Sequence, residues 1–253
     1  MDAFWPFLIL FLTGLAAGFV DAIAGGGGLI TVPVLLSLGL SPQDAFGTNK
    51  LQATFGSGSA TWHFAAAGLV DFRECAAGIV FTGIGASLGA WCLQGLDPGF
   101  LRRIIPWLLT AIALYTLLQP KLGEEDRHSR WNRHAFHLVF GLILGFYDGF
   151  FGPGTGSFWA MAYMLGLGLN MIKATAHTKV MNFTSNLASL AFFVAGRHVL
   201  FGAGLTMGLG QLIGARLGAR TVVVKGARLI RPVFITMVLA ITCKLLYDNY
   251  TKH

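Results

Sequence analysis

The sequence is poor in charged residues and in cysteine. Charged residues make up 11% of the 253 positions, whereas soluble domains carry about 25%, so a soluble domain is excluded for nearly all of the chain. Three cysteines, Cys75, Cys92 and Cys243, have neither metal-site nor redox spacing and are expected to be packed thiols. The loops hold no candidate metal cluster or nucleophile–base pair, so we expect a protein that is not an enzyme and needs no metal or cofactor.

Long apolar segments take the place of charge. Hydrophobic residues make up 55% of the chain, and the mean hydropathy is +0.66. Because a membrane-spanning helix needs about 20 apolar residues, full spans are predicted near 4–23, 43–68, 74–94, 103–118, 135–150, 172–195, 200–219 and 230–247. Segments 28–40 and 155–169 are too short to cross alone. We predict an all-α, polytopic membrane protein of about eight transmembrane helices and two half-length elements, whose first span is retained rather than cleaved.

The net charge of +7 indicates a topology rather than a ligand. Basic residues crowd two loops: Lys121, Arg127, Arg130 and Arg133, then Arg216, Arg220, Lys225, Arg228 and Arg231. Because basic loops stay on the cytoplasmic side, both are predicted to be cytoplasmic. Nucleic acid is not an expected partner, since these charges sit at membrane edges and form no separate domain.

The chain contains an internal repeat. Residues 14–21 read GLAAGFVD and residues 141–148 read GLILGFYD, and each is followed by a glycine cluster. The correspondence continues through residues 45–50 and 174–179 to 85–90 and 214–219. We therefore predict a first repeat over 1–118, a charged cytoplasmic linker over 119–133 and a second repeat over 134–253. In each half, three spans are clear, and the first span together with its short partner forms one broken unit. If that unit dips in and returns, each half has an odd number of crossings, which places the second repeat upside down.

The glycine clusters are the first candidate site. Gly25, Gly26, Gly27 and Gly28, and residues 152–156, each precede a short apolar helix. A helix N-terminus presents unpaired N–H groups and a positive dipole end, which together bind anions. Matching broken helices in two halves of a membrane protein indicate a transport site. The alternative is that the glycines serve turn geometry only.

Two lysines lie deep in the helices that follow. With helix starts near Pro42 and Met171, Lys50 and Lys179 are about 12 Å inside, where a charge usually faces a cavity or a partner. Substrate attraction, ion pairing to Asp21 or Asp148, and a misplaced helix boundary are all open. The two aspartates have three open roles of their own: proton coupling, structural support of the helix break, and direct contact with substrate.

These motifs resemble a known family. Residues 18–28, with Pro33 and residues 47–50, resemble the first signature of the TauE/SafE sulfite-exporter family, also called TSUP. Residues 152–157 and 173–186 resemble its second signature and are close to the YfcA branch. The resemblance covers nearly the whole chain and implies a bacterial plasma-membrane carrier of sulfite, sulfonates or related sulfur-containing anions. The first half has Asn49 where the second has Thr178, so the half-sites need not contribute equally.

We therefore expect a secondary transporter, an exporter of sulfur-containing anions, in which one half rocks against the other around a shared site. Alternatives are an uncoupled, channel-like anion facilitator and a membrane assembly factor. Expected partners are the anion and membrane lipid, and a homo-oligomer is left open. The candidate substrate-binding residues are Gly25, Gly26, Gly27, Gly28, Thr48, Asn49, Lys50, Gly152, Gly154, Thr155, His177, Thr178, Lys179 and Asn182.

Overall fold

The computed structural model describes residues 4–117, 126 and 128–225, and every secondary-structure element within them is an α-helix. The described helices are α1 (Phe4–Ala24), α2 (Gly27–Ser37), α3 (Pro42–Ala66), α4 (Phe72–Gln94), α5 (Pro98–Leu117), α6 (Arg133–Phe150), α7 (Thr155–Gly166), α8 (Met171–Ala195) and α9 (Phe201–Lys225). The all-α prediction is thus confirmed for this part of the chain. The predicted span 230–247 and Cys243 lie outside the described residues.

The starts of α3 and α8 are fixed by matched N-caps. The Ser41 hydroxyl and the Asn170 amide oxygen each accept a hydrogen bond from the N–H three residues further on. This contact satisfies a donor that the first helical turn cannot pair. Both helices therefore begin where the sequence predicts, and Lys50 and Lys179 lie about 12 Å along them.

Glycines in the left-handed region end the first helix of each half. Gly25 has φ +76° after α1, and Gly152 and Gly154 have φ +93° and +83° after α6. Glycine adopts this conformation without the steric cost that a Cβ brings. The chain then forms α2 and α7, of 11 and 12 residues, which are about 17 Å long and too short to cross a bilayer.

Each short helix brings the chain back to the end where the preceding long helix began. Leu35, near the end of α2, packs in one cluster with Leu10 of α1 and Ala45 at the start of α3. In the second half, Leu167 after α7 shares a cluster with Phe136 at the start of α6. The pairs α1–α2 and α6–α7 are therefore hairpins that return the chain to the end where they began.

Small residues let helices from different halves approach closely. A Cβ at Gly14 would lie 2.1 Å from Met207 O, and one at Gly18 would lie 2.4 Å from Gln211 O, so α1 and α9 pack in parallel, backbone against backbone. In apolar surroundings such close van der Waals contact stabilises helix pairs. Gly89 makes the same approach to Phe146, which joins α4 to α6.

Six of the described long helices form two bundles, and each bundle has members from both halves. Gly204 and Gly208 of α9 pack on Leu51 and Phe55 of α3, so α3 runs parallel to α9 and α1. We call α1, α3 and α9 the first bundle. The matching contacts of α4 with α6 and α8 make these three helices the second bundle.

The two bundles run in opposite directions. Asp44 at the start of α3 pairs with His198 just after the end of α8 (2.8 Å), and Phe64 near the end of α3 packs with Ala176 near the start of α8. Helices α3 and α8, which correspond in the sequence repeat, are therefore antiparallel. The same holds for α1 and α6 and for α4 and α9, because each belongs to a different bundle.

By length and hydropathy alone, two of the described helices are apolar enough to cross a membrane: α4, and α1 over Phe7–Ala24. Helices α3 and α8 carry many polar side chains, which lowers their hydropathy, and those side chains are buried between the bundles. The count of about eight spans stays a prediction.

Candidate anion site

The two glycine clusters touch each other at the centre of the molecule. A Cβ at Gly25 would lie 2.6 Å from the Cα of Gly156, and one at Gly156 would lie 2.4 Å from the Cα of Gly25. Gly28 likewise approaches Pro153. Glycine is required here because the backbones leave no room for a side chain. The helix breaks of the two halves therefore build one junction.

The N-termini of α2 and α7 present the same pattern of N–H groups at this junction. In α2, the first N–H (Gly27) bonds Asp21 Oδ1 at 3.2 Å, and the third (Leu29) bonds Gly26 O. In α7, the first and third N–H groups bond the carbonyls of Gly152 and Gly154. The second N–H of each helix, from Gly28 and Gly156, has no acceptor among the described residues.

Two buried ion pairs cross between the halves. Lys50 Nζ, from the first half, lies 2.7 Å from Asp148 Oδ1, and Lys179 Nζ, from the second half, lies 3.0 Å from Asp21 Oδ2. Each ammonium also donates to the backbone carbonyl of its aspartate, and a cation is favourable at that carbonyl end of a helix. Of the roles open for these lysines, ion pairing is the one observed, and the helix boundaries are as predicted.

The two pairs differ in how firmly they are held. Asp148 accepts from Lys50 with one oxygen and from the Ser185 hydroxyl with the other, and Lys50 also donates to Asn186 Oδ1 at 3.2 Å. Asp21 is held by Lys179 and by a single backbone N–H. Its side chain is 15% exposed, against 5% for Asp148. The Asp21 pair is therefore the less enclosed of the two.

A small cavity of about 30 Å³ lies at the junction, with room for about two water molecules. It is lined by Asp21, Gly25, Gly28, Asn49, Ala53, Asp148, Gly152, Gly154, Thr155, Gly156, Asn182, Asn186 and Gln211. Asn182 and Gln211 are 6% and 2% exposed, and their side-chain oxygens have no hydrogen-bond partner among the described residues. Buried amide oxygens usually have donors, so a donor such as a water molecule is expected beside them, whereas the NH₂ groups of the same amides can donate to an anion.

About half of the predicted site residues line this cavity. They are Gly25, Gly28, Asn49, Gly152, Gly154, Thr155 and Asn182. Asp21 and Asp148 line it too, whereas Lys50 and Lys179, which pair with these aspartates, do not. Gly26 is the N-cap of α2 and Gly27 is its first residue, and neither lines the cavity.

The remaining predicted residues have other contacts. Thr48 Oγ1 accepts from Leu200 N at 3.1 Å, which ties α3 to the chain entering α9. His177 bonds the carbonyl of Lys173 and packs against Tyr163. Thr178 is 1% exposed, and its hydroxyl has no partner among the described residues. None of the three is on the cavity wall.

Sequence reasoning missed Gln211 as a site residue. Its helix, α9, enters the site only because it packs against α1 across the halves. A single amide in the mostly apolar, glycine-rich stretch 201–215 was the available signal, and Asn186, four residues after Asn182, was a similar one. Within the described ranges, no three His, Cys, Asp or Glu side chains are grouped closely enough to hold a metal ion.

Buried charges and broken helices that meet around one cavity are features of membrane transporters. The family model for the sulfite exporter TauE/SafE matches residues 10–245, and the chain belongs to this family of membrane transporters. It is 48% identical over 245 residues to a "Probable membrane transporter protein" of Haemophilus influenzae, covering 97% of this chain and 96% of the relative.

More distant similarity extends over the same length. The Escherichia coli K12 protein named "Probable membrane transporter protein YfcA" is 46% identical over 242 residues, covering 96% of this chain and 90% of the relative. "Probable membrane transporter protein YunE" of Bacillus subtilis is 24% identical over 268 residues, covering 96% and 98%. No solved structure matches the chain.

Proposed function

We propose that this transporter exports sulfite or a related small sulfur-containing oxyanion, which binds in the central cavity. One observation carries the proposal: Gly28 and Gly156, whose N–H groups have no acceptor among the described residues, line the same cavity as Asn182 and Gln211, whose side-chain NH₂ groups can donate to an anion. Backbone N–H groups at helix N-termini bind oxyanions, and the positive dipole ends add to the attraction. The cavity volume of about 30 Å³ favours sulfite over bulky sulfonates.

We infer that the chain lies in the inner membrane as two inverted repeats. The support is the opposite direction of the corresponding helices α3 and α8, together with the re-entrant hairpins. The two basic regions agree: the end of α9 (Val222) packs near the start of α8 (Met171), so Arg220 and the linker residue Arg133 belong to the same end of the molecule. The positive-inside rule makes that end cytoplasmic.

The moving bodies we propose are the two bundles rather than the two sequence halves. Each bundle interleaves helices from both halves through glycine contacts at backbone distance, so the halves cannot separate without breaking that packing. The cavity and both ion pairs lie between the bundles. Rocking of one bundle against the other would expose the cavity to alternate sides of the membrane.

Thermal stabilisation of the purified full-length protein tests the site. A ligand at 100 times its dissociation constant adds about 2.7 kcal/mol to the stability of the protein, so sulfite, sulfate, thiosulfate and methanesulfonate are compared at matched ionic strength with chloride. We expect sulfite to raise the melting temperature most. If none of the four anions raises the melting temperature above its value in chloride, the sulfur-anion proposal is refuted.

A matched pair of variants locates the binding. Asn182→Leu removes the side-chain NH₂ group proposed to donate to the anion, together with an amide oxygen that has no partner among the described residues, so it should abolish the stabilisation by sulfite. Thr61→Val also removes a buried, unpartnered oxygen, but away from the cavity, and should keep it. Equal responses in the two variants would place the binding elsewhere.

Flux measurements test transport itself. Protein in liposomes loaded with sulfite should release it, and Asn182→Leu should slow that release while Thr61→Val does not. Release at the rate of protein-free liposomes would refute the transport of sulfite. A flux that ignores an imposed pH gradient but follows the membrane potential would favour the uncoupled facilitator.

A further inference from the structure

Among the described residues, the charges around the cavity are already balanced. Lys50 and Lys179 carry two positive charges and Asp148 and Asp21 carry two negative ones, and the side chains of both lysines are 1% exposed. An anion entering this site would leave an uncompensated negative charge in apolar surroundings, which is costly. Binding therefore needs a cation that enters with the anion or a carboxylate that becomes neutral.

We propose that Asp21 takes up a proton when the anion binds, so that the released charge of Lys179 balances the anion. The inference rests on the site proposed above and adds the coupling ion to it. A proton from solvent binds Asp21 Oδ2, the ion pair with Lys179 is lost, and the ammonium becomes the counter-ion of the anion. When the anion is the monovalent hydrogensulfite, the total charge of the site is then the same before and after binding.

Asp21 suits this role better than Asp148. Its Oδ2 has Lys179 as its only described partner, and Oδ1 can still accept from Gly27 N when the acid is neutral. Protonation of Asp148 Oδ2 would also displace the hydrogen bond from Ser185. Asp21 is moreover the more exposed of the two and lines the cavity, so a proton can reach it along the path of the anion.

No other charged side chain faces Asp21 from the surrounding described helices. Helix α8 contributes Lys179, and across the cavity α6 contributes Asp148 with its partner Lys50 from α3. Helices α2 and α7 contain no ionisable side chain other than Tyr163, which packs against Phe136 away from the cavity. Helix α9 presents an amide there. A pH dependence of anion binding is thus assigned to the Asp21 pair.

Loss of this pair also changes the contact between the bundles. Asp21 belongs to the first bundle and Lys179 to the second, so the ion pair ties them together. Protonation removes the ionic part of that tie only when the anion is bound and leaves the hydrogen bond from Lys179 to the Asp21 carbonyl, so occupancy of the site is linked to bundle movement. Proton and monoanion then move in the same direction across the membrane without net charge, so export is driven by their combined concentration gradients and not by the membrane potential.

The test measures proton uptake on sulfite binding to the purified full-length protein. Calorimetry in two buffers of different ionisation heat gives the protons bound per sulfite, and the known titration of sulfite itself is subtracted. We expect close to one extra proton per bound sulfite at neutral pH. The affinity, corrected for sulfite ionisation, should rise by about tenfold per unit of falling pH.

Asp21→Asn and Asp148→Asn form a matched pair. Asp21→Asn mimics the protonated acid, so it should bind sulfite with no extra proton and no residual pH dependence. Asp148→Asn should keep the extra proton. The wild-type measurement stands alone if either variant fails to fold.

The outcomes separate this inference from the proposed function. Sulfite binding to wild type without extra proton uptake refutes the coupling and leaves the anion site standing. Binding that requires Na⁺ at constant pH refutes it equally, because the metal ion would then supply the charge. Absence of sulfite binding at every pH refutes both.

Discussion

A single added methyl group at the glycine junction tests the geometry of the site. In Gly156→Ala the new Cβ would lie 2.4 Å from the Cα of Gly25 and 2.9 Å from its carbonyl oxygen. Carbon atoms in contact stand about 3.5–4.0 Å apart, so the two backbones must separate by roughly 1 Å. No side-chain rotation can relieve the clash, because the backbone of residue 156 fixes the position of the Cβ, and the Gly25 Cα belongs to the main chain.

The expected cost follows from this overlap. Forcing an extra methyl into a packed core costs about 1–3 kcal/mol, and a chain of this size loses about 2–4 °C of melting temperature per kcal/mol. The apparent melting temperature should therefore fall by roughly 2–12 °C. The Gly156 N–H also moves away from its ligand position, so sulfite affinity should fall by about tenfold, the worth of one hydrogen bond.

Gly83→Ala is the control. Its Cβ would meet only Thr184 Cγ2, at 3.7 Å, and alanine is favoured over glycine within a helix by about 1 kcal/mol. Its melting temperature should stay equal or rise, and sulfite binding should not change. The reasoning is refuted if Gly156→Ala keeps both the melting temperature and the sulfite affinity of the wild type.

Three further predictions concern the ion pairs and the linker. Lys50→Met should destabilise the protein by about 3–5 kcal/mol, because it leaves Asp148 charged and buried; the double variant Lys50→Met/Asp148→Leu should recover most of that loss in denaturant titrations. Ser185→Ala removes the hydroxyl bound to Asp148 and should cost about 1–3 kcal/mol by the same measurement. Hydrogen bonding from Lys173 holds the pKa of Asp126, in the linker, below its usual range. The contact of the linker with α8 should therefore be fully present above about pH 4 and be lost as the pH falls through the lowered value. The Asn170 N–H donates to Asp126, so its protection from hydrogen exchange, measured against the intrinsic rate at each pH, should fall over that interval in the wild type and be absent at all pH values in Asp126→Ala.

Local sequence was sufficient where the cause is local. The caps Ser41 and Asn170 place the helix starts, and glycines such as Gly25 place the breaks, because each acts through its own backbone or the next turn. The repeat also predicted that the two breaks and the deep lysines belong together. These features came from spacing alone.

Contacts between the halves could not be predicted in the same way. The sequence left two aspartates as possible partners of Lys50. Its pairing with Asp148 depends on α6 packing beside α4 and facing α3. The position of Gln211 on the cavity wall depends on α9 packing against α1, which no pattern within α9 specifies. Rocking of whole halves was the prediction, and the interleaved bundles replace it with a different proposal.

The sequence by itself determined an all-helical chain with two matching helix breaks, buried lysines and aspartates, and membership of a family of membrane transporters. The tertiary structure decided how these parts meet: the glycine clusters form one junction, each lysine neutralises the aspartate of the other half, and the first turns of two short helices line one cavity. The physical reason is the distance along the sequence over which each feature is set. Caps and breaks are set within a few residues, whereas charge balance around a cavity depends on which helices pack together across 127 positions of sequence, as with Asp21 and Asp148.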